Sequence, residues 1–221
     1  ASAPVLIALP DVDPIEAREA PQASTEPFTP TPAIVIGIGG VAVPVLRRLR
    51  QSILHRFGSE ELPPQLGMLL IDTDPKNIAA ALRESPFGIP LAPVDTLCTS
   101  LRRPQDYREK SEKLLRWLSR RWLYNVPRSL CTEGIRPLGR LAFVDHARQV
   151  VQRIRQLVTQ VTDSTAEPQS DDAPAVDFTR EGLRVYLVGS ISGGTAGGML
   201  HDVAYAVRAT LHHLGVTDSQ I

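Results

Sequence analysis

The chain has 221 residues, 43% of them hydrophobic and 22% charged, and its 24 basic side chains are balanced by 24 acidic ones. This composition excludes the disordered and fibrous classes, and a zero net charge leaves no global field toward nucleic acid or an anionic membrane. The longest apolar runs, 34–38 and 183–188, are far too short to span a bilayer, and no signal peptide is recognisable. Cys98 and Cys131 match no metal-ligand spacing and point to a reducing, cytoplasmic setting, although two thiols leave one disulfide open.

Seven of the 19 prolines fall within residues 1–32. Proline fixes φ and lacks an amide donor, so this stretch reads as an extended arm or leader, with 5–9 as a segment that can add an edge strand. The folded domain is expected over 33–221, and the chain reads as a piece of something longer. Residues 33–38 form an apolar, β-branched run of the kind buried on both faces of a parallel sheet. Glycines 37, 39 and 40 break it, and 45–57 follows with helical spacing: Val45, Leu46, Leu49, Ile53 and Phe57 share a face. A second strand over 67–71 ends at Asp72, and a short helix over 75–83 carries proline in its first turn. This alternation predicts parallel pairing with right-handed crossovers.

The middle reads as helical. Residues 104–123 place Tyr107, Leu114, Leu118 and Trp122 on one stripe, and 145–161 stack Val150, Val151, Ile154, Leu157, Val158 and Val161. Residues 163–181 are polar and acidic and read as a long surface loop. A strand over 183–188, a glycine/serine loop over 189–198 and a helix over 199–214 ended by Gly215 complete the pattern.

Two loops carry the chemistry. Gly193, Gly194, Thr195, Ala196, Gly197 and Gly198 lie where a parallel strand gives way to a helix. There the first-turn amides are unpaired and the helix dipole is positive, while glycine lets an anion approach without meeting a Cβ. Ser190, Ser192 and Thr195 can add hydroxyl donors. This is a phosphate site that needs no lysine, or a tight turn whose glycines permit close packing; it is not a Walker loop, since neither Lys nor Arg occurs over 189–198. The first loop, with Gly37, Gly39, Gly40 and Ala42, fits G-x-G-x-x-A, the dinucleotide fingerprint. Asp72 and Asp74, more than 30 residues beyond Gly39, either face a ribose or belong to a solvated turn in which Asp72 caps the next helix.

Ser192-Gly-Gly-Thr-Ala-Gly-Gly198 resembles the signature loop of the tubulin/FtsZ superfamily, and Ile36-Gly-Ile-Gly-Gly40 resembles its first loop. Ile71-Asp-Thr-Asp74 is similar to the stretch after its second strand. Gly134-Ile-Arg-Pro-Leu-Gly-Arg140 is similar to its third loop, which ends in Gly-Arg before a helix. The order agrees over 33–214, with the nearest likeness to large bacterial tubulin-like proteins. The resemblance implies an α/β, three-layer, mostly parallel, Rossmann-like domain. It also implies GTP or GDP held by loop amides, Mg2+ held through phosphates and water, and self-association head to tail in a cytoskeletal type of filament.

Carried over residue by residue, the nucleotide contacts are Gly37, Gly39, Gly40, Asp72, Asp74, Gly134, Arg140, Ser192, Gly193, Gly194, Thr195, Ala196, Gly197 and Gly198. Arg140 is an anion contact or a salt-bridge partner. No catalytic or metal-ligating residue is assigned. In the family the base-contacting Asn and the hydrolytic acidic loop come later in the fold, so GTPase activity is expected only of a longer, assembled protein. The chain departs from the pattern at Ser192, at Ala196 and over 41–44, where Pro44 removes a backbone donor. Those departures leave a second reading, a scaffold in which 41–44 fill the phosphate pocket. A dinucleotide oxidoreductase is a third, with no catalytic constellation to support it.

Residues 102–128 hold nine basic side chains against three acidic, interleaved with Trp117, Trp122 and Tyr124. This is a nucleic-acid surface, a partner surface, or a solvated face whose charges meet the acidic 163–181 loop; the last two are favoured, and nucleic acid is not expected. His201 and Asp202 follow the glycine loop, and no ligand set completes a metal site with His201, His212 and His213.

Overall fold

The computed structural model describes residues 30–86, 88–166, 182–216 and 219–220. The expected arm, its 5–9 segment and the 167–181 stretch lie outside the described residues, apart from the arm's last three.

The order of elements is β1 (Ala33–Ile38), α1 (Ala42–Phe57), β2 (Leu66–Asp72), α2 (Pro75–Leu82), β3 (Thr96–Cys98), α3 (Ser111–Leu114), α4 (Arg120–Tyr124), α5 (Arg136–Ala166), β4 (Leu183–Gly189), α6 (Gly194–His213) and β5 (Ser219–Gln220), with 3-10 turns at Pro93–Asp95 and Pro104–Lys110. The strands form one all-parallel sheet in the order β3-β2-β1-β4-β5. Ala33 pairs with Leu66 on one side and Arg184 on the other, so the three central strands start level and end level.

Alternation along β1 divides the core into two layers. Ile34, Ile36 and Ile38 pack with Leu138, Leu141, Ile154 and Val158 of α5 and with Met199, Val203 and Val207 of α6. Val35 points the other way, into a cluster with Ala42, Val43 and Leu46 of α1 and Ala81 of α2. Each buried isoleucine contributes about 1.5–3 kcal/mol. Helices thus cover both faces of a parallel sheet, the expected three-layer α/β architecture.

Several expectations are corrected. The 104–123 stripe is not one helix: Ser119 is extended (φ −68, ψ 149) and separates α3 from α4. Tyr107, Leu114 and Leu118 are nonetheless buried, because successive short turns deliver the same side chains to the core. The third loop does not run to Arg140, since α5 begins at Arg136, and Pro137 sits in its first turn, where its missing amide hydrogen costs nothing. The same helix extends through Ala166, so 163–166 are not loop. The glycine loop is shorter than expected, because α6 begins at Gly194. Val45, placed on the buried face of α1, is 43% exposed, whereas Arg47 is buried and donates to the carbonyl oxygens of Ala80 and Gly88, each at 2.7 Å.

Candidate functional site

The strand order reverses at β1: the chain leaves β1 toward β2 and β3, then returns on its other side to β4. The crevice at the carboxyl ends of β1 and β4 is therefore a topological switch point, the usual ligand site of open α/β sheets. Both α1 and α6 begin there, each with its positive end toward the crevice.

Amides are open at the start of each helix among the described residues. In α6 the N-cap is Gly193, whose N–H goes to the Ser190 carbonyl, and no side chain caps the helix. The N–H groups of Gly194, Thr195 and Ala196 consequently have no intrahelical acceptor. At α1 the Gly39 N–H is spent on the Ile71 carbonyl, and the Ala42 and Val43 amides on Gly39 and Gly40, leaving those of Gly40 and Val41. Pro44, which lacks an amide donor, stands in the first turn of α1.

These amides rim a cleft of about 420 Å³ lined by Gly39, Gly40, Val41, Asp72, Thr73, Asp74, Asn77, Cys131, Thr132, Glu133, Ser190, Gly193, Gly194, Thr195 and Ala196, with Ile38 at its floor. Val41 lines the mouth and is 61% exposed; Ala42 and Val43 are buried in the core and Pro44 faces solvent. The side chains of 41–44 therefore do not fill the cleft.

Beneath the amides lies a buried polar cluster. Thr195 Oγ1 contacts Thr73 Oγ1 at 3.0 Å and Thr132 Oγ1 at 3.1 Å, and donates to Asp72 Oδ1 at 3.4 Å. Its single proton serves Asp72, so the Thr73 and Thr132 hydroxyls donate to it. This joins the end of β2 and the residue after it, the loop before α5 and the first turn of α6. The Thr195 hydroxyl is thus engaged below the cleft, and only its amide is presented to a ligand. Ser190 and Ser192, by contrast, hydrogen-bond each other at 2.7 Å on the exposed side.

Asp72 is 1% exposed and neither solvated nor a cap; the helix cap is Asp74, which accepts from the Lys76 amide at 2.8 Å. Burial pushes the Asp72 carboxyl above its ordinary value, against hydrogen bonds from Asn77 Nδ2 (2.8 Å) and the Asp74 amide (3.2 Å) that pull it back. Gly40 makes room for this arrangement, since a Cβ there would stand 2.5 Å from Asn77 Nδ2. Cys131 is likewise raised, first by burial and then by the charge of Asp74.

The glycines divide into two groups. At Gly193 a Cβ would meet nothing nearer than the Ser190 carbonyl oxygen at 3.5 Å, so this position is open to the cleft. At Gly198 it would lie 2.1 Å from the Arg136 carbonyl oxygen, at Gly197 2.5 Å from that of Ile191, and at Gly194 2.6 Å from Thr132 Oγ1. Gly139 faces them from α5, 2.2 Å from the Gly194 carbonyl oxygen by the same measure. Three of the four signature glycines therefore let α6 close on neighbouring backbone and side chains, with Gly198 seated against the first turn of α5.

Of the residues expected at the site, Gly39, Gly40, Asp72, Asp74, Gly193, Gly194, Thr195 and Ala196 line the cleft. Gly37, Gly134, Arg140, Ser192, Gly197 and Gly198 do not. Gly37 lies under Leu46 and Ala42 of α1, and Arg140 pairs with Asp202 at 3.6 Å and stacks on Trp117. His201 is exposed, and no group of three His, Cys, Asp or Glu among the described residues can hold a metal. Thr73, Asn77, Cys131, Thr132 and Glu133 were not anticipated. Thr132 stands 63 residues before Thr195, and no local pattern announces that contact.

A family model described as tubulin like matches residues 34–221, and the chain belongs to that family. No curated protein and no solved structure matches it.

Proposed function

From membership of the tubulin-like family as premise, we propose that the cleft binds GTP or GDP and that the protein assembles head to tail through its nucleotide-bearing end. The observation that carries this reading is the convergence of two uncapped helix N-termini on one cleft at the switch point. Five open amides, from Gly40, Val41, Gly194, Thr195 and Ala196, surround a space free of lysine and arginine. Such a cradle suits a phosphate chain whose charge is shared with Mg2+ held through phosphates and water. A nucleotide at the end of the sheet, at a heterologous contact, gives filaments where the contact does not close. No described helix is long and apolar enough to cross a membrane, and two free thiols suit a cytoplasmic setting. GTP hydrolysis belongs, on this reading, to the assembled state.

The competing scaffold reading draws on the glycines at 194, 197 and 198, whose presence packing alone explains. Titrating the full chain with GDP, GTP and NADH separates the readings. Guanine-nucleotide binding supports the proposal; no binding at about millimolar ligand, some 4 kcal/mol of binding free energy, favours the scaffold. A preference for NADH returns the dinucleotide alternative.

A further inference from the structure

Strand β3 covers only the end of β2: Leu70 pairs with Thr96 and Asp72 with Cys98, and the chain before β3 is a 3-10 turn at Pro93–Asp95. The carbonyls of Gln65 and Ile71 accept from Ala33 and Gly39 on the β1 side, whereas the Asp72 carbonyl accepts from Thr99 on the other side. Backbone groups alternate sides along a strand, so those of Leu66 and Met68 face away from β1. The Leu66 amide is taken by the Pro63 carbonyl at 2.8 Å. The Leu66 carbonyl and both backbone groups of Met68 have no partner among the described residues. Met68 is 2% exposed, and buried backbone groups are almost always paired.

This bare edge lines a second cavity, of about 620 Å³, toward the amino end of the sheet. Helix α5 walls it with Leu157 and Gln160, and Leu62, Leu66 and Val94 add apolar surface. Its charged side chains cancel, Arg50 and Arg153 against Glu61 and Asp95. Arg50 pairs with Asp95 at 3.6 Å, yet its Nε is buried with no hydrogen-bond partner among the described residues. The cavity thus offers unpaired backbone, an unpaired side-chain donor, apolar walls and no net charge. Those features suit an extended, uncharged, apolar peptide that adds to a strand edge.

We propose that residues 5–9 of this same chain dock in the cavity as an added strand beside 66–69. Val5, Leu6, Ile7, Ala8 and Leu9 are the only five consecutive apolar residues in 1–29, and they carry no charge. Pro4 and Pro10, which have no amide donor, bound the segment. At about 3.3 Å per residue it spans about 17 Å, against about 13 Å for the bare edge. Reach is ample. Pro30 stands three residues before β1, and the open lane beyond β2 lies two strand spacings, about 10 Å, from β1. Residues 10–29 extend to about 66 Å. The proposal is independent of what binds in the cleft.

The test is amide hydrogen exchange of the full chain, resolved to single residues by NMR, for wild type and for Ile7→Pro, which disfavours a paired strand. The Met68 amide faces the added strand, whereas those of Gly67 and Leu69 face β1. The expected result is a Met68 amide that exchanges at least about tenfold faster in the variant, with Gly67 and Leu69 unchanged. The double variant Leu6→Asp, Ile7→Asp keeps every backbone donor but brings charge into the cavity, and should do the same. Ile7→Val should exchange at the wild-type rate. Met68 exchange that is equal in wild type and the two disruptive variants overturns the proposal. Protection of Met68 that grows with protein concentration also overturns it, and gives the edge to a second copy. Should Ile7→Pro lose protection at Gly67 and Leu69 as well, the aspartate variant decides.

Discussion

Replacing Gly198 by alanine tests whether the signature glycines serve packing. In an isolated helix the change would gain about 1 kcal/mol, because glycine loses more backbone entropy than alanine. Here the new Cβ would stand 2.1 Å from the Arg136 carbonyl oxygen, 2.7 Å from Gly139 Cα and 2.8 Å from the Arg140 nitrogen. All three are backbone atoms of one helix, so no side chain can rotate away; α6 must withdraw by more than an ångström. Overpacking costs about 1–3 kcal/mol, and a backbone obstacle argues for the upper end. Set against the propensity gain, the net loss is about 2 kcal/mol, a fall of roughly 4–8 °C in Tm for a chain of this size. Gly193→Ala is the control: φ is −79° and the nearest contact is 3.5 Å, so its stability should stay within about 0.5 kcal/mol of wild type. Urea and thermal unfolding followed by circular dichroism measure both. A Gly198→Ala protein as stable as wild type, or a Gly193→Ala protein equally damaged, would refute the division of the glycines.

Thr195→Val keeps the shape but strips the hydroxyl that Asp72, Thr73 and Thr132 share, and should destabilise by about 1–3 kcal/mol, with Thr195→Ser losing clearly less. The Asp72 carboxyl titrates higher in the folded than in the unfolded chain, so the folded state binds more protons between those two values. Its contribution to stability is fully present below the unfolded value and is lost as pH rises through the folded one. Asp72→Asn, with the Asn77 amide free to present its oxygen instead, should remove that decline; an unchanged pH profile in urea unfolding would count against it. Cys131 lines the cleft with a raised thiol, so alkylation at neutral pH should be slow and slower still with GDP bound, while Cys98 is unaffected by nucleotide. Peptide mass spectrometry reads both rates, and equal protection of the two cysteines would place the ligand elsewhere.

Much of this arrangement was legible in the residues. β1 was readable to the residue because an apolar β-branched run ends at a glycine pair, and β2, α1 and α2 followed from periodicity and proline. β3 went unseen because three residues, Thr96–Cys98, carry no period. The starts of α5 and α6 were placed too late, because glycines 139, 194, 197 and 198 read as loop when they are helix positions chosen for close approach. The two glycine loops at the cleft were legible in composition, but the Asp72–Thr195 cluster was not. It joins residues 123 apart, and only the folded sheet brings them together.

On the proposed reading, open amides at Gly194–Ala196 and at Gly40–Val41 hold a nucleotide's phosphates. Isothermal titration of the full chain with GDP and Mg2+, wild type against Gly193→Ala, addresses it most directly. One site is expected in wild type, with an affinity at least about tenfold weaker, or about 1.4 kcal/mol, once a methyl group occupies the N-cap at position 193. No heat of binding to wild type, or equal affinities in two equally folded proteins, would contradict it.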